Sequence, residues 1–280
     1  MNTKAKLPNA RKATLPRSLF SIGMILCLLA LPLVGCSVTD QPEDEMNTGQ
    51  EFSIDLSTTE DQLQAELIVS NPGDTEFPGD NEFEGMSKLW NQTGEESRAT
   101  SDSYILEPIA AGESRVVTTL NLELEPGVYF MAWGDPQYGG VLTTFVLENM
   151  LSGAPEVVRS FSFQTEAADY GSNISNAGMI KSFSQAEDGS IIITGETPIP
   201  DQNCVFPLLY SQEGLVDSFP AGECAQVAEG QWLLEVTAPP GSGGIQLVEG
   251  ENYHVIVFSD DLNIAPSEPF EVLISPPAQE

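Results

Sequence analysis

Apolar residues in this chain recur at every second position, in short runs cut by Pro and Gly, and no window sustains the 3.6-residue period of an amphipathic helix. Phe52, Ile54 and Leu56 alternate with polar residues, as do Leu63, Ala65, Leu67 and Val69, and Asn71-Pro72-Gly73-Asp74 then supplies a turn. Further strand segments fall at 86–91, at 115–124 after Ala111-Gly112-Glu113, at 128–133 after Pro126-Gly127, and at 141–147, with one more at 157–163. A second series occupies 190–195, 205–210, 232–237, 253–259 and 270–274, punctuated by prolines from Pro198 to Pro269. Short strands with turn residues between them and no crossover helices imply antiparallel sandwiches. The expected fold is all-β: two immunoglobulin-like antiparallel β-sandwiches in tandem at 51–165 and 181–280, joined by a link at 166–180 rich in Asn, Ser, Ala and Gly.

Both halves repeat a local feature. Tyr129 follows Glu125-Pro126-Gly127 and Tyr253 follows Glu249-Gly250-Glu251, each at the start of a late strand. A tyrosine there matches the tyrosine corner of immunoglobulin-like sandwiches, whose phenol bonds back to nearby backbone.

Ahead of the strands lies a stretch of another kind. Lys4, Lys6, Arg11, Lys12 and Arg17 precede an apolar run from Leu19 to Leu33, which ends in Leu33-Val34-Gly35-Cys36. That reads as a bacterial lipoprotein signal over residues 1–35, with Cys36 as the expected lipid site. The apolar run is shorter than the roughly 20 residues a spanning helix needs. Residues 36–50, with Asp40, Glu43, Asp44 and Glu45 and no aromatic residue, are expected to form a flexible tether. The expectation is a chain held on the membrane by its lipid, in the cell envelope and facing outside the cytoplasm, on the outer membrane if the host has one because Ser37 follows the cysteine.

The full sequence holds 10 Lys and Arg against 42 Asp and Glu. Loss of the leader removes five basic and no acidic residues, leaving 10 − 5 = 5 cations and moving the formal charge from −32 to −37. Nucleic acid is excluded as a partner, because its binding depends on Lys and Arg neutralising phosphates. Three uses of such acidity remain: a solvated surface in salty or extracellular water, divalent cation binding, and recognition of a basic partner. Asp74, Asp80 and Glu82, in the acidic stretch 74–84, are weak calcium candidates, since calcium takes six to eight oxygens. Their spacing is not that of an EF-hand. Asp260 and Asp261, with Glu187 and Asp188, form a weaker acidic group, and otherwise no metal or cofactor is expected.

Outside the leader and Cys36, Cys204 and Cys224 are the remaining thiols, and in an exported chain they are expected to form a disulfide. His254 is the one histidine, in the strand run Tyr253-His254-Val255-Ile256, and is expected to be a strand residue at a sheet margin. No nucleophile elbow, zinc helix, phosphate loop or dinucleotide fingerprint occurs. Trp90, Trp133 and Trp232 each sit in an apolar strand run and are expected in the core.

The strand and turn from Leu63 to Asp74, then Leu89-Trp90, Ala111-Gly112-Glu113-Ser114 and Leu124 to Tyr129, resemble the immunoglobulin-like domain of bacterial intracellular proteinase inhibitors, the BsuPI-like family. The resemblance covers about 80 residues. It implies the fold of the first domain and identifies no reactive-loop residue; the second domain resembles no particular family. Together these features lead to the expectation of a non-catalytic binding or scaffolding module with an envelope protein or glycan as partner. An envelope proteinase inhibitor and a carbohydrate-active enzyme built on paired carboxylates are the alternatives.

Overall fold

The computed structural model describes residues 50–59, 62–149, 155–186, 188–216, 219–237, 245, 247–248, 250–272 and 274. The leader, Cys36, the tether up to residue 49, and Glu187 therefore lie outside the described residues. Everything described belongs to one compact unit. It contains strands and no helix among the described residues.

The first sandwich comprises β1 (Glu51–Thr58), β2 (Leu63–Ser70), β3 (Asp80–Asn91), β4 (Glu96–Leu106), β5 (Ser114–Leu122), β6 (Gly127–Asp135), β7 (Gly139–Asn149) and β8 (Pro155–Thr165). A three-stranded sheet, β1-β2-β5, faces a five-stranded sheet, β4-β3-β6-β7-β8. Every pairing is antiparallel, and this is the strand division of an immunoglobulin-like sandwich with β8 added beyond β7. The core between the sheets is aromatic. Phe52, Phe83, Trp133 and Phe145 are buried there with Leu63, Leu67, Val69 and Leu89.

The second sandwich comprises β9 (Met179–Gln185), β10 (Ile191–Glu196), β11 (Cys204–Ser211), β12 (Gly214–Leu215), β13 (Ala225–Ala228), β14 (Gln231–Val236), β15 (Tyr253–Ser259) and β16 (Phe270–Val272). Its strands form one continuous order, β16-β15-β11-β13-β14-β10-β9, with β12 on β11. The short β13 links the two layers. It pairs with β11 through Cys204↔Gln226 and with β14 through Val227↔Trp232. Between the layers lies an aliphatic core of Ile191, Ile193, Val205, Leu209, Val255 and Val257, with Trp232 as its largest ring.

Each half thus has its own core, and a third core joins the halves. Alternation along β6 sends Tyr129, Met131 and Trp133 into the first core and Val128, Phe130 and Ala132 the other way. On the opposing sandwich, β11 sends Phe206, Leu208 and Tyr210 outward, and β15 sends Ile256 and Phe258. These side chains meet in an apolar seam completed by Met86, Trp90, Leu142, Val146 and Leu262. Strands buried on both faces carry near-continuous apolar runs, and this is why β6 and β15 read as Val-Tyr-Phe-Met-Ala-Trp and Val-Ile-Val-Phe. Phe130 and Phe258 lie 5.3 Å apart, with Trp90 edge-on to Phe258 at 5.6 Å. Gly134 and Gly140 open the space for Leu262: a Cβ on Gly134 would stand 2.8 Å from its Cδ1 and 2.5 Å from Gly140 Cα.

Two segments differ from the sequence expectation. The strand expected at 86–91 begins earlier and takes in part of the acidic stretch 74–84: β3 starts at Asp80, and Phe77 and Phe83 anchor the stretch in the first core. The segment at 166–180 is more than a link. β9 already begins at Met179, Asn176 bridges to Ala265, and Ala177 N–H donates to Ala265 O at 2.9 Å. Its polar composition concealed this role, which rests on the bridge to Ala265 and on a few scattered residues, Tyr170, Ile174 and Ala177, that pack on the second core.

Candidate functional site

The predicted disulfide is formed. Cys204, at the head of β11, and Cys224, just ahead of β13, are bonded with Cα atoms 5.1 Å apart. All three tryptophans are core residues, one per core: Trp133 in the first, Trp232 in the second and Trp90 in the seam. Trp133 donates its indole N–H to Ile68 O at 3.2 Å.

His254 occupies the margin of the seam on the face of Ile256 and Phe258. Its ring stacks on cross-strand Tyr210 at 5.6 Å and 27°, and the Tyr210 hydroxyl donates to Gln92 O of the first sandwich at 2.6 Å. Burial pushes the Tyr210 phenol well above its ordinary range, consistent with a neutral structural donor. Both tyrosine corners exist. The Tyr129 hydroxyl donates to Glu125 O at 2.7 Å, whereas the Tyr253 hydroxyl accepts from Val248 N–H at 3.0 Å and donates to the Glu251 carboxylate.

Asp74, Asp80 and Glu82 are not gathered into a ligand set, and no group of three or more His, Cys, Asp or Glu suited to a metal ion exists among the described residues. Asp80 is used otherwise: Oδ1 accepts Glu82 N–H and Oδ2 accepts the Tyr138 hydroxyl at 2.9 Å. Burial, aided by Asp80, pushes the Tyr138 phenol up to about 12. Nearby Asp135 is buried and caps its turn, accepting N–H groups of Gln137 and Glu84 at 2.7 and 2.8 Å. Its carboxyl is raised by burial against the lowering effect of those bonds. Asp188 caps a turn by accepting Ser190 N–H at 2.9 Å.

The densest buried polar group holds the junction. Asp260 and Asp261, both buried, receive the chain that leaves the first sandwich: Tyr170 N–H donates to Asp261 Oδ2 at 2.8 Å, and its hydroxyl donates to Asp260 Oδ1 at 2.7 Å. Burial raises the Asp260 carboxyl, and the Tyr170 phenol is pushed far up by burial and by Asp260. From the first sandwich, Lys88 reaches across to Asn263 O at 2.9 Å, its ammonium pKa lowered by burial against the pull of Glu96 and Asp261. Lys88 and Tyr170 were missed from sequence. Tyr170 had a signal, as the one aromatic residue within 166–180, whereas Lys88 on a strand had none.

No family model matches the chain, and no curated protein matches it. Among solved structures it is similar to an exo-chitosanase of Amycolatopsis orientalis at 11% identity, over 79% of this chain and 26% of that one, with a TM-score of 0.25. It is also similar to the chicken CNTN1 FN1–FN3 domains at 12% identity, over 78% and 65% of the two chains, with a TM-score of 0.25. The chain therefore spans about a quarter of the exo-chitosanase that it matches.

Proposed function

We propose that the chain is a membrane-anchored extracytoplasmic lipoprotein that acts as a non-catalytic binding or scaffolding module at a bacterial cell envelope. The anchoring half of this reading rests on the basic and apolar leader ending at Cys36. The scaffolding half rests on one observation, the apolar seam. A seam of Phe130, Tyr210, Ile256 and Phe258 with Trp90 makes two sandwiches into one body, which suits presenting the surfaces of both halves in a fixed relation to each other. The one histidine packs its ring against Tyr210 at the margin of that seam, a structural role that fits this reading. The acidic surface serves solubility in extracellular water and favours cationic partners.

Expression of the full chain in a bacterium, followed by fractionation and mass spectrometry, tests this. The chain is expected in the membrane fraction with a diacylglyceryl adduct on Cys36, and Cys36→Ala is expected to lose that adduct and its membrane retention. Identical fractionation of parent and variant, or an unmodified Cys36, overturns the anchoring.

A further inference from the structure

The seam covers the outward side of β11 and β15, but the opposite layer of the second sandwich, β9-β10-β14-β13, keeps an outer face open with apolar side chains on it. Register places Met179, Glu196 and Gln231 in one row across β9, β10 and β14, then Thr194 beside Leu233, then Ile192 beside Glu235. Ile192 and Leu233 are thus diagonal neighbours, within side-chain reach of each other. Met179 and Leu233 are each 54% exposed and Ile192 38%, whereas the inward residues Ile193, Trp232 and Leu234 are buried. Core packing explains the inward set and leaves the outward set unexplained.

The same face is grooved. A depression of about 670 Å³ is lined by Met179, Glu196, Glu229, Gln231 and Glu268. It meets a second of about 550 Å³, which shares Glu196 and Gln231 and adds Lys181 and Leu233. Three carboxylates thus face one cation, and Lys181 is already held by Glu196 at 3.0 Å. Glu229 stands at φ +54° in the β13–β14 turn, followed by Gly230 at +70°. Two successive left-handed residues favour Asn-Gly or Asp-Gly, so a glutamate there is a poor choice for the turn. It does extend a carboxylate along the rim. β9 is also the edge strand of its sheet, with no strand paired on its outer side among the described residues, the kind of edge to which an extended segment can add.

We propose that this face docks a cationic segment bearing apolar side chains, a Lys- or Arg-containing peptide strand of a partner protein. Its apolar side chains cover Met179 and Leu233, and its cations meet Glu196, Glu229 and Glu268. This deepens the binding reading above and rests on it.

The probe is a synthetic peptide of alternating Lys and Leu, titrated against the full purified chain carrying ¹³C-methyl methionine, with Met179 as the local reporter and alternating Lys–Ser and Glu–Leu peptides as controls. The Lys–Leu peptide is expected to shift the Met179 methyl and to bind at least about tenfold more tightly than either control. Leu233→Ser and Glu229→Gln, both at exposed positions, are each expected to weaken it several-fold with an unchanged melting temperature. Binding that leaves Met179 unmoved, equal affinity for the Lys–Ser peptide, or no binding at millimolar peptide overturns the proposal. Such a failure leaves the fractionation of Cys36→Ala untouched, so the docking face and the anchored-module reading fail separately.

Discussion

The two sandwiches reach stability by different routes. In the first, aromatic rings interlock: Phe52 and Phe83 lie 6.3 Å apart, and each approaches Trp133, at 6.3 and 5.9 Å. Its central strands β6 and β7 are covered on both faces, by its own core and by the seam. The second relies on branched aliphatic residues, has one tryptophan seated over Gly195, and adds a disulfide. A Cβ on Gly195 would fall 2.2 Å from that ring. Two-sided burial uses up both faces of β6 and most of β7 at the centre of the first half's five-stranded sheet. The second half keeps Met179, Ile192 and Leu233 exposed on the outer face of β9, β10 and β14, the face proposed above for docking.

The sharpest way to break this comparison is to cut the seam, since both halves share it. Phe258 touches Trp90 and Phe130, and its loss leaves a cavity between buried rings. Phe258→Ala is expected to cost about 3 to 5 kcal/mol. In urea titrations followed by tryptophan fluorescence, the parent should unfold in one transition and the variant in two, as the halves part. A loss below about 1 kcal/mol with one retained transition would show that Phe258 does not carry the coupling, and two transitions in the parent would show that the seam does not couple the halves.

Next in size is the disulfide, which belongs to the second half alone. It closes a sequence separation of 20 residues, for which the chain-entropy account gives about 3 kcal/mol. Replacing Cys204 and Cys224 together by Ser should lower the urea midpoint by a corresponding amount. Hydrogen exchange should rise more in β11, β13 and β14 than in β1, β2 and β5. Equal loss of protection in both halves would contradict the separate support given to the second.

The sequence made the all-β class legible because alternation and turn residues are local signals. The disulfide was legible because cysteines are few and the expected export leader leaves one pairing. Strand β4, Glu-Ser-Arg-Ala-Thr-Ser-Asp-Ser-Tyr-Ile-Leu, was not legible. It is an edge strand exposed on both faces over most of its length, so no alternation marks it. β9 escaped for a similar reason, with Ile180 and Phe183 as its inward residues beside Ser and Gln. The seam was half legible: the continuous apolar run Val128 to Trp133 requires two covered faces, but nothing local says that β11 and β15 supply the second cover. The acidic stretch 74–84 misled because charge density counted for more than Phe77 and Phe83, whose burial decides its path. The docking face is a property of register across three strands, and register is not written in any one of them.

The smallest effect separates a buried charge from the diffuse charge of the surface. Burial raises the Asp260 carboxyl above its ordinary value, so the folded state holds that proton more tightly than the unfolded chain does. The stability this group contributes is then full below the unfolded pKa of about 3.9 and is lost as pH rises through the higher folded value. Asp135, raised by burial in the first half, acts with the same sign. Stability should therefore fall as pH rises from the unfolded carboxylate range through these raised values. Self-repulsion among the surface carboxylates has the same sign, but salt at about 0.5 M screens it and leaves buried groups much less affected. The pH slope that survives in salt belongs to the buried acids. Asp260→Asn keeps an acceptor for the Tyr170 hydroxyl and removes the charge, so it should make the residual slope shallower by a fraction of the about 1.4 kcal/mol that one pH unit can carry per proton. An unchanged slope in salt would place the pH dependence in the surface or in the first half, where Asp135→Asn is the matching variant.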